Sequence, residues 1–427
     1  MEASLRAMFI NRAPRFRAAA GGNGDLAAVP AGLTHRCGSG IVNFMRFGII
    51  GSRLAGSYLG LLLRQAGHEV LLFDNSAGRE KPCGGGVTPK ALRTMQWFAS
   101  RRLPHTVVDT LRLITGRGET ADMKLANPIH IFSRSTLDAA LREDAINAGA
   151  QFFPVRASRF VFDNRKWAIL AEGVAYEVDF LAGADGATSS VRAAVASRFA
   201  ASDLSLALGF YLPGIHHQDS LIAAFQEPGF QGYLWSFPRV DHSSVGILRW
   251  LPHARAADLR QRVGRFIDAH YTASAPAKRF YAATIPCLSV ASLRHQRVCG
   301  PGWALLGDAA GFTDAITGEG IFYALRSAEL LAGAIKAGCP AGYEQAWRRD
   351  FGRDLLRAAA LRERFFGSEH RGGNPVEQAV RLAGRSRTAA RLADALISGN
   401  VSYDRFLAML LWKSPWILRD YLGSKGP

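Results

Sequence analysis

The residues with the most chemical promise lie in glycine-rich runs. Gly51-Ser52-Arg53-Leu54-Ala55-Gly56 sits between an apolar stretch, Phe47 to Ile50, and a helix-like stretch, Ser57 to Ala66. In a dinucleotide-binding turn the first glycine makes the tight bend, the second lets the backbone approach a pyrophosphate, and the third packs helix on strand. Amides at the helix N-terminus then meet the phosphates. Gly51 and Gly56 suit the outer roles, but Arg53 stands at the middle position, where its guanidinium either bonds the phosphates or blocks them. Asp74 closes the next apolar run, Val70 to Phe73, where an acid suits the paired hydroxyls of an adenosine ribose. The plainer reading is an ordinary glycine-containing turn between strand and helix.

Three more runs add to this. Lys81-Pro82-Cys83-Gly84-Gly85-Gly86 holds three consecutive glycines, which weaken helix and strand alike. Such a run lets a backbone lie flat against a ligand, or forms a mobile surface loop. Gly183-Ala184-Asp185-Gly186-Ala187 follows the apolar Val178 to Leu181 and puts an acid at a sheet's carboxyl edge. The strongest run is Trp303 to Leu306 with Gly307-Asp308-Ala309-Ala310, leading into Thr317-Gly318-Glu319-Gly320 and a helix from Ile321. Asp308 suits a sugar or ribityl hydroxyl. The Gly318–Gly320 turn sets helix N-terminal amides against an anion, and a reduced flavin is such an anion.

For these runs to meet, strands must carry them to one edge. Phe47 to Ile50, the helix to Ala66 and Val70 to Phe73 form a strand–helix–strand unit. Residues 107–132 and 206–250 alternate in short β-like pieces, which predicts an antiparallel sheet. Arg134 to Ala148 has helical period, with Leu137, Leu141 and Ala145 on one face. Beyond about residue 321 the chain reads as helix almost to its end. Phe406 to Arg419 is too short to span a bilayer. Its Trp412 and Trp416, beside Lys413 and Arg419, suit either a membrane interface or a helix covering its own core.

Composition sets the outer limits. The 427 residues suggest two or three domains with a large core. With 48% hydrophobic and only 20% charged residues, the chain is not disordered, and no apolar run is long enough to span a membrane. The five cysteines, at 37, 83, 287, 299 and 339, are odd in number and scattered, as in reduced thiols of a cytoplasmic protein. The net charge is +17, carried mainly by Arg spread along the chain. Such a spread fits compositional bias, or attraction to anionic membranes or phosphate-bearing substrates. Without clustering, zinc-finger spacing or an RNP-like run, nucleic acid is not an expected partner. Residues 1–44 are Arg-rich, acid-poor and without periodicity. They read as a disordered basic extension or sequence upstream of a start at Met45, with an organelle transit peptide as the alternative.

The chain resembles the geranylgeranyl reductase family of FAD-dependent oxidoreductases. The resemblance rests on Lys81 to Gly86, on Tyr233-Leu234-Trp235-Ser236-Phe237-Pro238, and on Gly307-Asp308 with Thr317-Gly318-Glu319-Gly320. These occur in the family's order and cover roughly residues 45–345. Gly307-Asp308 and Ala184-Asp185-Gly186 belong to the wider flavin hydroxylase superfamily and argue for FAD alone. The resemblance implies FAD contacts at Ala55, Asp74, Cys83, Gly84, Gly86, Arg134, Asp308, Gly320 and Ile321. It places Tyr233 and Trp235, which share one face of a strand, over the flavin. Two aromatics so spaced are otherwise ordinary core packing, and Cys83 is either a proton relay at the flavin or a small buried residue.

The expected architecture is α/β. An FAD-binding, Rossmann-like parallel-sheet domain takes residues 45–95, 130–195 and 292–345, and an inserted antiparallel β domain for substrate takes 96–129 and 196–291. A helical region, 346–427, follows. The resemblance implies reduction of carbon–carbon double bonds in an isoprenoid or other apolar small molecule, with NAD(P)H or ferredoxin as electron donor. The expected location is cytoplasmic, with peripheral membrane contact as an extension of that. The rivals are an FAD-dependent monooxygenase of the same fold and a binding protein whose flavin site has decayed at Arg53. The Trp-x-Trp-x-Ile signature of flavin-dependent tryptophan-type halogenases is absent.

Overall fold

The apolar runs that end at the glycine motifs lie side by side in one sheet. The computed structural model describes residues 44–215, 220–227, 229–271, 278–366 and 375–423. These fall within one compact unit, Cys37–Pro427. The expected basic extension therefore lies, except for Phe44, outside the described residues. Six strands run in the order Cys299–Gly300, Trp303–Leu305, Phe180–Gly183, Arg46–Ile50, Glu69–Phe73 and Gln151–Phe153. All neighbours are parallel except the first pair. The four central strands are buried on both faces, which explains their continuous rather than alternating apolar runs.

Helices Leu54–Gln65, Arg134–Asn147 and Ile321–Lys336 pack together, with Leu59, Leu141 and Leu331 in their shared core. A three-stranded meander, Ala157–Asp163, Lys166–Ala171 and Val174–Val178, covers Gly48 in the sheet. A Cβ on Gly48 would stand 2.1 Å from Ile169 Cδ1, so the strand carries glycine where the meander presses on it. This meander had no counterpart in the sequence reading.

A second sheet of eight strands runs Arg279–Pro286, Leu204–Pro213, His242–Trp250, Gly232–Pro238, Leu221–Phe225, Thr106–Ile114, Thr120–Ile131 and Gly86–Val87. It is antiparallel except where Leu221–Phe225 meets Thr106–Ile114. The alternation over 107–132 and 206–250 therefore does mark strands. Helix Ala256–His270 lays Leu259, Val263 and Ile267 against Leu234 and Ile247. Helices Pro375–Arg385 and Arg387–Ile397 cover Val108, Met123 and Leu125 elsewhere on the sheet. Gly86–Val87 pairs with Ile131 and His130, so the glycine run passes directly into this second sheet. The described chain beyond Ile321 is helical apart from short connections, as expected. Among the described residues no helix is long and apolar enough to cross a membrane. Among the described residues, Cys83, Cys287 and Cys299 are free thiols.

Candidate active site

Strand ends decide where the site lies. Gly51, Asp74, Ala184 with Asp185, and Gly307 with Asp308 all follow the carboxyl ends of parallel strands, the edge at which open α/β sheets bind ligands. A cavity of about 600 Å³ opens there, between the two sheets. Of the residues expected at the site, Gly51, Arg53, Ala55, Asp74, Cys83, Gly84, Gly86, Arg134, Asp185, Tyr233, Trp235, Gly307, Asp308, Gly318, Gly320 and Ile321 all line it. Gly56 does not. A Cβ there would stand 1.8 Å from the Gly51 carbonyl oxygen, so this glycine serves close packing of helix on turn.

At one end of the cavity Gly51 adopts φ +100°, and its missing Cβ would meet the Ala184 carbonyl oxygen at 2.4 Å. Asp74 Oδ2 accepts from the Ser52 amide at 2.8 Å and the Ser52 hydroxyl at 3.0 Å. Asp74 Oδ1 accepts from the Ser76 amide at 2.6 Å and hydroxyl at 2.7 Å. Burial would raise this carboxyl's pKa, but the four bonds outweigh it and hold the group below its ordinary value. Arg53 sits in extended backbone at φ −85°, a conformation that does not require glycine. Its Nη1 donates to Asp138 Oδ2 at 3.2 Å. Arg134 forks onto the same carboxylate, with Nη2 2.8 Å from Oδ1. Burial disfavours the Arg134 charge, and the adjacent Asp138 and Cys83 more than offset that and raise its pKa. Asp185 is on the wall, but its carboxylate caps the helix Ser190–Val195 through the Ser190 amide at 2.6 Å and the Ser189 hydroxyl.

The triple glycine has a reason inside the protein. A Cβ on Gly84 would stand 2.3 Å from the Phe237 ring, and one on Gly85, at φ +88°, would stand 2.2 Å from the Phe132 carbonyl oxygen. The loop is also clamped by Arg239, which is 1% exposed and absent from the sequence-level candidates. Arg239 Nη2 donates to the Cys83 carbonyl at 2.6 Å, and Nη1 donates to Glu80. Glu80 in turn accepts from the Arg134 and Ser135 amides, both at 2.8 Å, capping that helix. Burial raises the Glu80 pKa, but the Arg239 charge and these bonds bring it down to about 2. A pair 159 residues apart in sequence leaves no local signal by which it could have been found.

Elsewhere on the wall, Lys81 Nζ donates to Asp308 Oδ2 at 2.8 Å. Burial opposes the Asp308 charge, but Lys81 overcomes this and lowers the pKa. The Tyr233 hydroxyl donates to the Thr317 carbonyl, and burial raises the Tyr233 pKa, so the ring anchors this turn as a neutral phenol. Gly318 needs its glycine at φ +72°. Asp314 Oδ1 accepts from the Ile316 amide at 2.9 Å and the Thr317 amide at 2.8 Å, and Tyr403 from the C-terminal helices donates to Asp314 Oδ2 at 2.8 Å. Glu319 lies between the two turn glycines and accepts from the Thr88 hydroxyl at 2.8 Å. Burial drives its carboxyl pKa up, the Thr88 bond lowers it and the Asp314 charge raises it, leaving it at about 7. Tyr233, Trp235 and Phe237 alternate on the strand Gly232–Pro238, and all three face the cavity with Leu221, Leu248, Ile285 and Ile397.

This donor set fits a dinucleotide that ends in a flavin. Helices Leu54–Gln65 and Ile321–Lys336 begin at Arg53 and Gly320 without a side-chain cap, and both starts line the cavity. Their first amides are open to anions, unlike those that Glu80 occupies. Asp74 and Asp308 offer ionised acceptors for ribose and ribityl hydroxyls. Residues 45–337 match the FAD binding domain family. The chain belongs to that family. FAD is its cofactor, and it is an FAD-dependent oxidoreductase.

Its relatives narrow the neighbourhood. The chain is 27% identical to the geranylgeranyl diphosphate reductase of Rhodobacter capsulatus over 353 residues, covering 76% of this chain and 85% of the relative. It is also 27% identical to digeranylgeranylglycerophospholipid reductase 2 of Methanothermobacter thermautotrophicus, covering 74% of this chain and 86% of that one. A geranylgeranyl bacteriochlorophyll reductase-like structure from Thermoplasma acidophilum superposes with TM-score 0.69 at 19% identity, covering 88% of this chain and 98% of that chain. The flavin-dependent halogenase CmlS superposes with TM-score 0.62 at 16% identity, covering 88% and 78%. Both likenesses are of fold.

Proposed function

We propose that this flavoprotein reduces carbon–carbon double bonds in an isoprenoid chain. The observation that carries the reading is the apolar wall formed by Tyr233, Trp235 and Phe237, which faces the same cavity as the open helix start at Gly320. A wall of rings without a charged side chain among them suits a polyunsaturated hydrocarbon and excludes water. The names of the reductase relatives support the same substrate class.

Reduced FAD, held here, would supply the hydride that one carbon of the double bond needs. The other carbon takes a proton, and Glu319 is the group on this wall that holds one near neutral pH. Thr88 fixes one carboxyl oxygen and leaves the other to carry the proton. Tyr233 positions the turn bearing Glu319 through its bond to Thr317, and Tyr403 holds the same turn from behind through Asp314. Cys83 lies beside Arg134 on the cavity wall and is a second candidate for moving a proton. Arg53 and Arg134 hold the phosphate end. The electron donor is a reduced nicotinamide or a ferredoxin.

The test is turnover of geranylgeranyl diphosphate and of a geranylgeranylated glycerophospholipid with a chemical reductant and no oxygen. Products gaining pairs of hydrogens by mass spectrometry support the reading. Products gaining oxygen in air, with the double bonds intact, overturn it in favour of a monooxygenase.

A further inference from the structure

The C-terminal helices Tyr403–Trp412 and Ser414–Gly423 meet at Lys413 and turn an apolar edge outward. Leu411 is 76% exposed, Trp412 68%, Trp416 44%, Leu418 58% and Leu422 74%. Among the described residues, five of the thirteen exposed large apolar side chains thus fall within this one short stretch. Folding alone does not account for a clustered patch of this kind, which marks a surface that meets something else. The helices are not adrift. Tyr403 and Ile417 are buried, and both helices pack on Arg387–Ile397, whose last residue lines the cavity.

The chemistry of the patch selects its partner. The Trp412 and Trp416 rings lie 5.8 Å apart, and Lys413 Nζ stands 5.9 Å from the Trp412 centroid. Arg405 and Arg419 are exposed on the same two helices. The carboxylates here are engaged: Asp404 pairs with Arg353 and Arg357, and Asp420 accepts from Ser386 and Thr388 and lies 3.7 Å from Arg419. Indole rings beside surface cations match a lipid surface, where the rings settle at headgroup depth and the cations meet anionic lipid. A protein of net charge +17 reinforces that attraction.

We propose that this edge docks the enzyme on an anionic membrane surface, beside the helix whose last residue lines the cavity. This extends the isoprenoid reading by naming where the substrate is collected, but docking is measured without turnover, so either idea can fail alone.

The experiment sediments the full-length, FAD-loaded protein with phosphatidylcholine vesicles, with and without phosphatidylglycerol. The parent is expected to pellet with the anionic vesicles and to be released by salt. Trp412→Ser with Trp416→Ser lowers that partition by roughly tenfold, and Lys413→Glu with Arg419→Glu by roughly tenfold on anionic vesicles only. Both double variants keep the parent's flavin spectrum, since neither pair touches the cavity. Quenching of parent tryptophan fluorescence by brominated lipid gives an answer independent of the variants. No pelleting and no quenching would overturn the proposal. A dimer in light scattering that the tryptophan variant splits, without lipid binding, would show instead that a second copy covers this edge.

Discussion

Arg53 Nη1 lies 3.2 Å from Asp138 Oδ2, and Arg134 grips the same carboxylate. The middle glycine of the dinucleotide turn has thus been replaced by a guanidinium tethered to one side, away from the tight bend at Gly51. Its backbone is extended, so nothing in the turn's geometry is lost with the glycine. We infer that the departure from the fingerprint changes how the phosphate end is held rather than abolishing it.

Arg53→Gly is therefore expected to weaken FAD binding by about 1 kcal/mol, or about fivefold, through loss of a charge-assisted bond. The parent's affinity should also fall more steeply with salt than the variant's. Titrating apoprotein with FAD at low and high salt checks both. Tighter binding by the variant would mean that Arg53 obstructs the site.

Asp74→Ala should weaken FAD retention by about 1–3 kcal/mol, with Ser52 and Ser76 left without their acceptor. Dialysis of the purified variant, with its flavin content read by absorbance, measures this. The flavin that heating releases from the parent should be FAD; release of FMN would remove the reason for an acid at this position.

Much of this was legible locally. Gly51, Gly56, Gly318 and Asp308 announce themselves because each backbone turn or strand end needs that residue type where it stands. That Tyr233 and Trp235 share one face followed from two-residue alternation, whereas the placement of that face over a flavin rested on the family resemblance. Other features were not legible, for one physical reason: they join residues far apart in sequence. Arg239 reaches Glu80 across 159 residues, and Tyr403 reaches Asp314 across 89. The glycines at 84 and 85 were read as making room for a ligand, yet Phe237 and the Phe132 carbonyl already fill the space a side chain would need.

Arg239→Met should destabilise the protein by about 3–5 kcal/mol, because it leaves Glu80 as a largely buried, uncompensated charge. In the parent, the Glu80 pKa is depressed from 4.5 to about 2, so its contribution is complete above pH 4.5 and disappears as pH falls toward 2. Thermal melts across that range should show the loss in the parent and a shallower slope in Glu80→Gln.

Glu319 works in the opposite sense. Its pKa is raised from 4.5 to about 7, so the proton is held below neutrality and lost as pH rises through about 7. Burial and the Asp314 charge drive the rise, and the Thr88 bond and Lys90 oppose it; Tyr323 and Tyr403 also lie near. Turnover should fall above that pH, and Glu319→Gln should be slower by roughly a hundredfold or more, without that fall. Parent stability should decline between pH 4.5 and 7, and the Gln variant should lack this decline. A variant that kept the parent's pH profile would remove Glu319 from the chemistry.

The central claim is that reduced FAD in this cavity passes its hydride to an isoprenoid double bond. The direct measurement is the visible spectrum of chemically reduced holoenzyme mixed with geranylgeranyl diphosphate in the absence of oxygen. The account predicts return of the oxidised flavin spectrum, with one double bond lost for each flavin reoxidised. A reduced spectrum that persists with either isoprenoid substrate, and returns to the oxidised form only when air is admitted, would contradict it.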